Sequence, residues 1–411
     1  MTPRSAARLP FRTPLLVTVL LAVLLAAPGA APAQESAAGG PGSFLPPESA
    51  RWVSDTLVRV TDHPAEGRLE VVVGPVDLEP NLPHLRVPVQ VVRWPHDGSL
   101  QGYSWAMVDA SGDMLPAGTL HHLGIIDPGR RHLFSPIAQR LVSAGDETEE
   151  QRLPSLLGVP MTEGAPLLVI GMFANPTDRR IEGARLRIRV HYARSGEGLL
   201  PRFSVRPFYM DVMGPVGPKS FSVPPGRTVK SWEGRPAVDA RILGIGGHGH
   251  DFARRLTLLD VTAGDTVWSV VPEAREDGHV LDVPEKSFVW TAGRKIHADR
   301  TYRSEIVYEN PTDGPAPHGG MGVVAGVVRA DEDDWPPVDR ENAAYRADLW
   351  NTVTAPIRAA RRPGGHGHGP LHGTPPGEVA DTLEWKARLA DDGDPWPEEI
   401  FGDEAPDAGG T

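Results

Sequence analysis

Cysteine is absent from all 411 residues. That excludes disulfides, iron–sulfur clusters, thiolate zinc sites, thiol catalysis and a lipid anchor on cysteine. Stability must then come from core size, and this length allows two ordinary domains with a core in each. Positive charge is also short. Lys+Arg number 41 against 53 Asp+Glu, a net charge of -12. Without the first 33 residues, which hold three Arg and no acid, 38 face 53 and the balance is -15. Such a surface argues against nucleic acid or an anionic membrane as partner and leaves small-molecule substrates open. Aromatics make up only 6%, and long helical patterns are scarce. No Gly-rich phosphate loop, Ser-His-Asp order or nucleotide motif stands out, so hydrolase and kinase chemistry have no support.

What is abundant is Gly, at 45, and Pro, at 43, recurring between short apolar runs. This punctuation belongs to many turns joining short strands. Residues 1–33 read as a secretory signal: Arg4, Arg8 and Arg12, the apolar run Leu15–Ala27, then an A-x-A site at Ala31-Pro32-Ala33. The run is short for a membrane span, which needs roughly 20 residues. No twin-arginine pair precedes it, so the Sec route and a periplasmic destination are expected, with no stable membrane insertion after cleavage. A retained N-terminal anchor is the alternative.

Residues 34–50 form a Gly-, Pro- and Ala-rich leader. Two strand-patterned blocks follow, 51–212 and 213–335. In the first, Leu186, Ile188 and Val190 alternate with Arg185, Arg187 and Arg189, the mark of a half-buried strand ending near His191. In the second, LTLLDVTAGDTVWSVV reads as a hairpin turning at Ala263-Gly264-Asp265. Helices are expected only at 138–153 and at 376–390. Residues 336–411 read as a polar, mostly irregular tail with one or two short helices; its His366, His368 and His372 fit a solvated low-complexity stretch.

Candidate chemistry lies in the histidines and one methionine. His248-Gly249-His250 ends a β-patterned run, and on a strand residues i and i+2 share a face. About seventy residues on stands Met321, in HGGMGVVAG. A thioether beside two imidazoles suits copper, above all Cu(I), better than zinc, calcium or magnesium. Upstream lie His121-His122 and, in RLRIRVHYARS, His191. These form two three-ligand sets. Adjacent histidines face opposite ways on a regular strand, so His121 and His122 need a bulge or a strand end to serve one ion. Each motif has a plainer reading: packing for the HH pair, a cupin-like iron, manganese or zinc site for HxH, and core filling for Met321. His318 is a spare ligand candidate, and Asp251 a candidate to orient an imidazole. His63, His84, His96, His132, His279 and His297 read as surface or structural residues.

In order and context, HH, then VHY, then HxH after SVPPGRTV, then a glycine-flanked Met resembles the copper type II, ascorbate-dependent monooxygenase family, that of peptidylglycine α-hydroxylating monooxygenase and dopamine β-monooxygenase. The resemblance covers about 100–330. It implies an all-β protein of two consecutive antiparallel jelly-roll-like β-sandwich domains, with two coppers facing each other across a solvent-filled cleft. His121, His122 and His191 would hold the electron-relaying copper. His248, His250 and Met321 would hold the copper that meets O2 and substrate, and so are the catalytic candidates. Ascorbate or another one-electron donor would reload both ions, and a small substrate would be hydroxylated at a C–H bond. The departures are specific. The family's disulfides are missing, Gly246 replaces an arginine two residues before HxH, and Val323 and Ala325 replace an Asn and a Tyr. Peptide amidation is therefore not expected. Two other functions compete: a non-catalytic periplasmic copper-binding protein on the same scaffold, and a mononuclear cupin-type enzyme using His248 and His250. The cupin reading wants a carboxylate three or four residues after the second histidine, where Ala253 and Arg254 stand.

Overall fold

Alternation between apolar and polar residues, broken by Gly and Pro, folds here into two stacked pairs of mostly antiparallel sheets. The computed structural model describes residues 58–360, apart from 88, 146, 147, 149, 199–201, 218, 317, 318, 333 and 334. The expected signal, leader and second tail helix, with His318, His366, His368 and His372, lie outside the described residues. All the described elements fall in one compact unit. Among the described residues no helix is long and apolar enough to cross a membrane.

In chain order the first sandwich has β1 (Val58–His63), β2 (Arg68–Leu78), β3 (Leu82–Arg86), β4 (Gln90–Arg93), β5 (Gly98–Val108) and β6 (Leu120–Arg131). It continues with β7 (Ala138–Ala144), β8 (Gln151–Arg152), β9 (Leu157–Met161), β10 (Pro166–Asn175), β11 (Ile181–Arg194) and β12 (Phe203–Ser204). One sheet runs β1-β2-β11-β5-β9-β12, with β8 on β5. The facing sheet runs β3-β10-β6-β7, with β4 on β10. Val71, Leu186, Ile188 and Met107 from the first meet Leu123, Ile125, Val169 and Phe173 from the second in one core. The alternation expected for β11 holds: Leu186, Ile188 and Val190 are buried, while Arg187 and Arg189 pair with Glu70 on the outer face.

The second sandwich has β13 (Arg206–Asp211), β14 (Gly226–Gly234), β15 (Ala240–Gly249), β16 (Ala253–Asp260), β17 (Asp265–Val270) and β18 (Glu273–Ala274). Then come β19 (Val280–Asp282), β20 (Lys286–Ser287), β21 (Arg294–Ile296), β22 (Tyr302–Asn310) and β23 (Gly322–Ala330). One sheet runs β13-β23-β15-β20, with β21 on β15; the other runs β14-β22-β16-β17. β13 already pairs with β23, so strands of the second sandwich begin at Arg206, a few residues ahead of 213. The expected hairpin is β16–β17, and Gly264 at its turn has φ +73.

One sequence expectation is corrected, and a tail helix is found at a place not assigned to it. Residues 138–153 are not helical; they contain β7 and β8. β7 is covered on both faces, by the first core and by a helix on the other side, so its apolar residues do not alternate. Ala138, Leu141 and Val142 then mimic helical spacing. The covering helix is α1 (Ala343–Ala360), at a place in the expected irregular tail where no helix was assigned. Its Tyr345 and Leu349 are buried against Val91, Ile126, Ala138 and Leu168. The Tyr345 hydroxyl donates to the Pro128 carbonyl at 2.8 Å, and Asp348 takes Arg140 Nη1 at 2.7 Å and Nη2 at 2.5 Å.

Candidate metal centre

Strand β6 delivers the first imidazoles. Leu123 and Ile125 point into the core, which turns His122 to the outer face of the sheet. His121 would then point back at the core on a regular strand. A bulge intervenes: along β10, Met172 pairs with His122 but Phe173 with Leu120, which leaves His121 as the extra residue. The two rings lie side by side, 4.3 Å between centres.

The second pair comes from β15. Ile245 is buried in the second core and Gly247 backs onto Leu256, so Gly246, His248 and His250 share the outer face. A Cβ on Gly247 would stand 2.1 Å from Leu256 Cδ2 and 2.5 Å from the Val323 carbonyl oxygen, a space only glycine fits. β23 runs alongside, with His248 opposite Val323 and Gly249 opposite Gly322. One step further brings His250 level with Met321, and opposed residues of paired strands point to one face. Met321 borders the same cavity as His122 and His248.

Tyr308, on β22, joins these pieces. Its buried hydroxyl accepts the backbone N–H of His250 at 2.9 Å and of Met321 at 3.1 Å, and donates to the Met321 carbonyl. Its ring stands edge-on to Phe221, with centroids 5.7 Å apart. One phenol thus fixes the histidine strand end against the methionine turn. The sequence reading missed it, although a signal existed: in SEIVYEN, Tyr308 falls on the core-facing positions with Ser304 and Ile306, where a buried phenol needs a partner.

The two sandwiches bring their histidines together. Ring centres are 5.4 Å apart for His122–His248, 6.0 Å for His122–His250, 6.0 Å for His121–His250 and 5.1 Å for His248–His250. One nitrogen each from His122, His248 and His250 lies within 4.8 Å of the others. A tetrahedral ion at ordinary metal–imidazole distances wants its nitrogens roughly 3.4 Å apart. Three imidazole nitrogens gathered this closely are a donor set that fits a metal ion.

His191 stands elsewhere. It follows Arg185, Arg187 and Arg189 on the outer face of β11, and its Nε2 is 3.8 Å from Glu150 Oε1. Burial, helped by Arg152, lowers its pKa below the ordinary imidazole value. The structure therefore gathers His122 with His248 and His250, flanked by His121, and does not bring His191 into that cluster. Asp251 is also engaged elsewhere, 3.0 Å from His279 Nδ1. His132 is a fully buried structural residue, edge-on to Tyr209 and held neutral by burial and the nearby Arg140, Arg131 and Lys219.

The cluster opens into a cavity of about 1110 Å³ between the sandwiches. Its walls are mixed: Leu141, Val142 and Val323 stand beside Arg140, Glu150, Arg152, Asp282 and Lys286. Glu285 is a second residue the sequence reading did not single out. Its Cγ would lie 2.9 Å from a Cβ on Gly246, so its side chain rests on the bare glycine backbone beside His248. Burial raises its carboxyl pKa.

No family model matches the sequence, and no curated protein matches it. The chain is similar in structure to the glycosylasparaginase PNGase F from Flavobacterium meningosepticum, at TM-score 0.31 and 10% identity over 64% of this chain and 96% of that one. It is similar to a peptide-N(4)-(N-acetyl-β-D-glucosaminyl) asparagine amidase at TM-score 0.32 and 10% identity, covering 66% and 99%. The VP2 subviral particle protein of infectious bursal disease virus gives TM-score 0.18 and 14% identity, covering 68% and 72%. At these scores the likenesses carry no functional argument. Fold and site together define a class: an all-β protein of two jelly-roll-like sandwiches with a histidine cluster between them.

Proposed function

We propose that the chain is an exported copper-dependent monooxygenase that uses O2 and an ascorbate-like reductant to hydroxylate a small substrate. One observation supports the reading: imidazoles from both sandwiches converge at the wall of a large cavity that Met321 also borders. His122, His248 and His250 would hold the ion, with Met321 as the soft donor that favours Cu(I). Copper bound there supplies reductive activation of dioxygen for C–H hydroxylation. The chain supplies the rest: Tyr308 sets the spacing of the HxH and methionine segments, and the apolar part of the cavity wall would receive the hydrocarbon. His121 flanks the site. His191, facing Glu150, has no part in holding this ion, which departs from the division into two remote three-ligand sets.

That departure favours one alternative. A copper-binding protein without catalysis needs a single histidine cluster and no separate relay site. Copper content and oxygen uptake distinguish the two. The monooxygenase reading expects copper whose retention falls in both His122→Ala and His248→Ala, nitrogen hyperfine structure in its EPR spectrum, and oxygen uptake requiring reductant and substrate. Copper retained by both variants overturns the site. Copper bound normally, with no reductant-dependent oxygen uptake across an amine, alcohol and carboxylate screen, overturns the catalysis.

A further inference from the structure

One motif takes no part in the proposed chemistry: the histidine tract His366, His368 and His372, in the run RRPGGHGHGPLHG directly after α1. Composition alone leaves it a solvated stretch. What changes its meaning is where α1 takes the chain. The outer face of the β3-β10-β6-β7 sheet carries both the helix and the metal ligands. Ile126 of β6 and Leu168 and Ile170 of β10 pack with Tyr345 and Leu349 of α1. His122 stands on that same face of β6, four residues from Ile126 in unbroken register with β10.

Contacts along the helix give its direction. Tyr345, near the start, bonds Pro128 toward the far end of β6, and Asp348 takes Arg140, which stands opposite Ile126. Further on, the Thr352 carbonyl accepts Arg86 Nη2 at 2.9 Å. Arg86 pairs with Met172 and Met172 with His122, so these three make one cross-strand row. By Thr352 the helix has drawn level with the ligand row, two strands or roughly 10 Å to its side. Eight more residues, about 12 Å of helix, lead to Ala360. From there His366 is six residues on and His368 eight, chain lengths that span up to roughly 20 and 27 Å. Both suffice to bring an imidazole back to the cluster.

The tract's chemistry suits a carrier better than a store. Its three imidazoles are donors that copper accepts readily. Gly365, Gly367 and Gly369 stand between and beside them, so gathering the rings around an ion costs backbone entropy and leaves the ion exchangeable. Residues 361–411 also carry eleven Asp and Glu against four Lys and Arg, a field that concentrates cations. We propose that His366, His368 and His372 form a copper-acquiring arm, which takes up the ion and passes it to His122, His248 and His250. The transfer is ligand exchange: tract imidazoles leave the ion as cluster imidazoles bind, and its oxidation state does not change. The hand-over rests on the proposed metal centre; uptake by the tract does not.

The test uses the full chain, with Cu(II) supplied as its glycine complex. Two variants separate the parts: His366→Ala/His368→Ala/His372→Ala in the tract and His122→Ala/His248→Ala in the cluster. In equilibrium dialysis the cluster variant should keep one weakly held copper, which disappears when the tract changes are added. Loading from limiting copper, sampled by rapid freezing and EPR, should fill the cluster at least fivefold more slowly in the tract variant. Its final cluster content and affinity should match wild type. Equal loading rates, or a cluster variant that binds no copper, overturns the proposal. Equal copper content in wild type and cluster variant overturns the metal centre and the hand-over with it, while the tract's own uptake is still decided by the combined variant.

Discussion

Tyr308→Phe removes one oxygen atom and leaves the ring that packs on Phe221 in place. Three backbone groups lose their partner: the N–H groups of His250 and Met321 and the Met321 carbonyl. A buried backbone group left unsatisfied costs about 1–3 kcal/mol. His250 and Met321 are half-buried, and cleft water can recover part of that, so the net destabilisation should be about 2–4 kcal/mol. The larger effect should fall on the metal. With the HxH end and the methionine turn no longer pinned together, copper affinity should drop by about 10–100-fold, as it does when groups that orient ligands are removed. Chelator competition gives the affinity, and urea unfolding of the metal-free protein gives the stability. The reasoning is refuted if stability falls as expected while affinity and the nitrogen hyperfine pattern stay at wild-type values. Tyr308 would then be a packing residue that happens to stand behind the site.

Gly247→Ala should displace β15 from β23, because its Cβ would meet the Val323 carbonyl as well as Leu256; a loss of about 1–3 kcal/mol should appear in urea unfolding, with weakened copper binding beside it. Asp348→Ala should strand Arg140 in the interior and cost about 3–5 kcal/mol, and an unchanged unfolding midpoint would show that α1 contributes no ionic clamp. Asp260 should add to acid lability. Burial works to raise its pKa, but the Ala263 amide and the Arg300 guanidinium outweigh this and leave it lowered. Its stabilisation is complete above the ordinary carboxylate pKa, near 3.9, and is lost as pH falls through the lowered native value. Asp260→Asn should flatten that acid limb in a pH series of thermal unfolding.

How far the sequence could be read depended on what each residue had behind it. The Arg-Leu-Arg-Ile-Arg-Val run of β11 has core on one side and solvent on the other, so its period of two was visible. The same run carries His191 onto the arginine face, a consequence that the ligand pattern hid. The need for a bulge at His121 followed from adjacency alone, since neighbouring side chains cannot share a face without one. β7 misled because helix α1 covers its second face, and nothing local to 138–153 announces a helix two hundred residues later. Glu285 was invisible for a similar reason: its place beside Gly246 comes from pairing with a strand about forty residues earlier. Tyr308 was legible in principle, as a phenol on the buried side of an alternating strand. The all-β class itself rested on turn residues spaced between short apolar runs, a signal spread over the chain and hard to erase by any single contact.

The histidine cluster draws His122 from one sandwich and His248 and His250 from the other, which makes any bound ion a rivet between them. Metal-loaded, the two halves should melt as one body, with added stability growing as the logarithm of free ion over its dissociation constant. Without an ion they are joined by the β7–β13 contact and by Leu133 and Phe134, which the first sandwich sends into the second core. Resistance to unfolding would then report how much of the protein carries the ion.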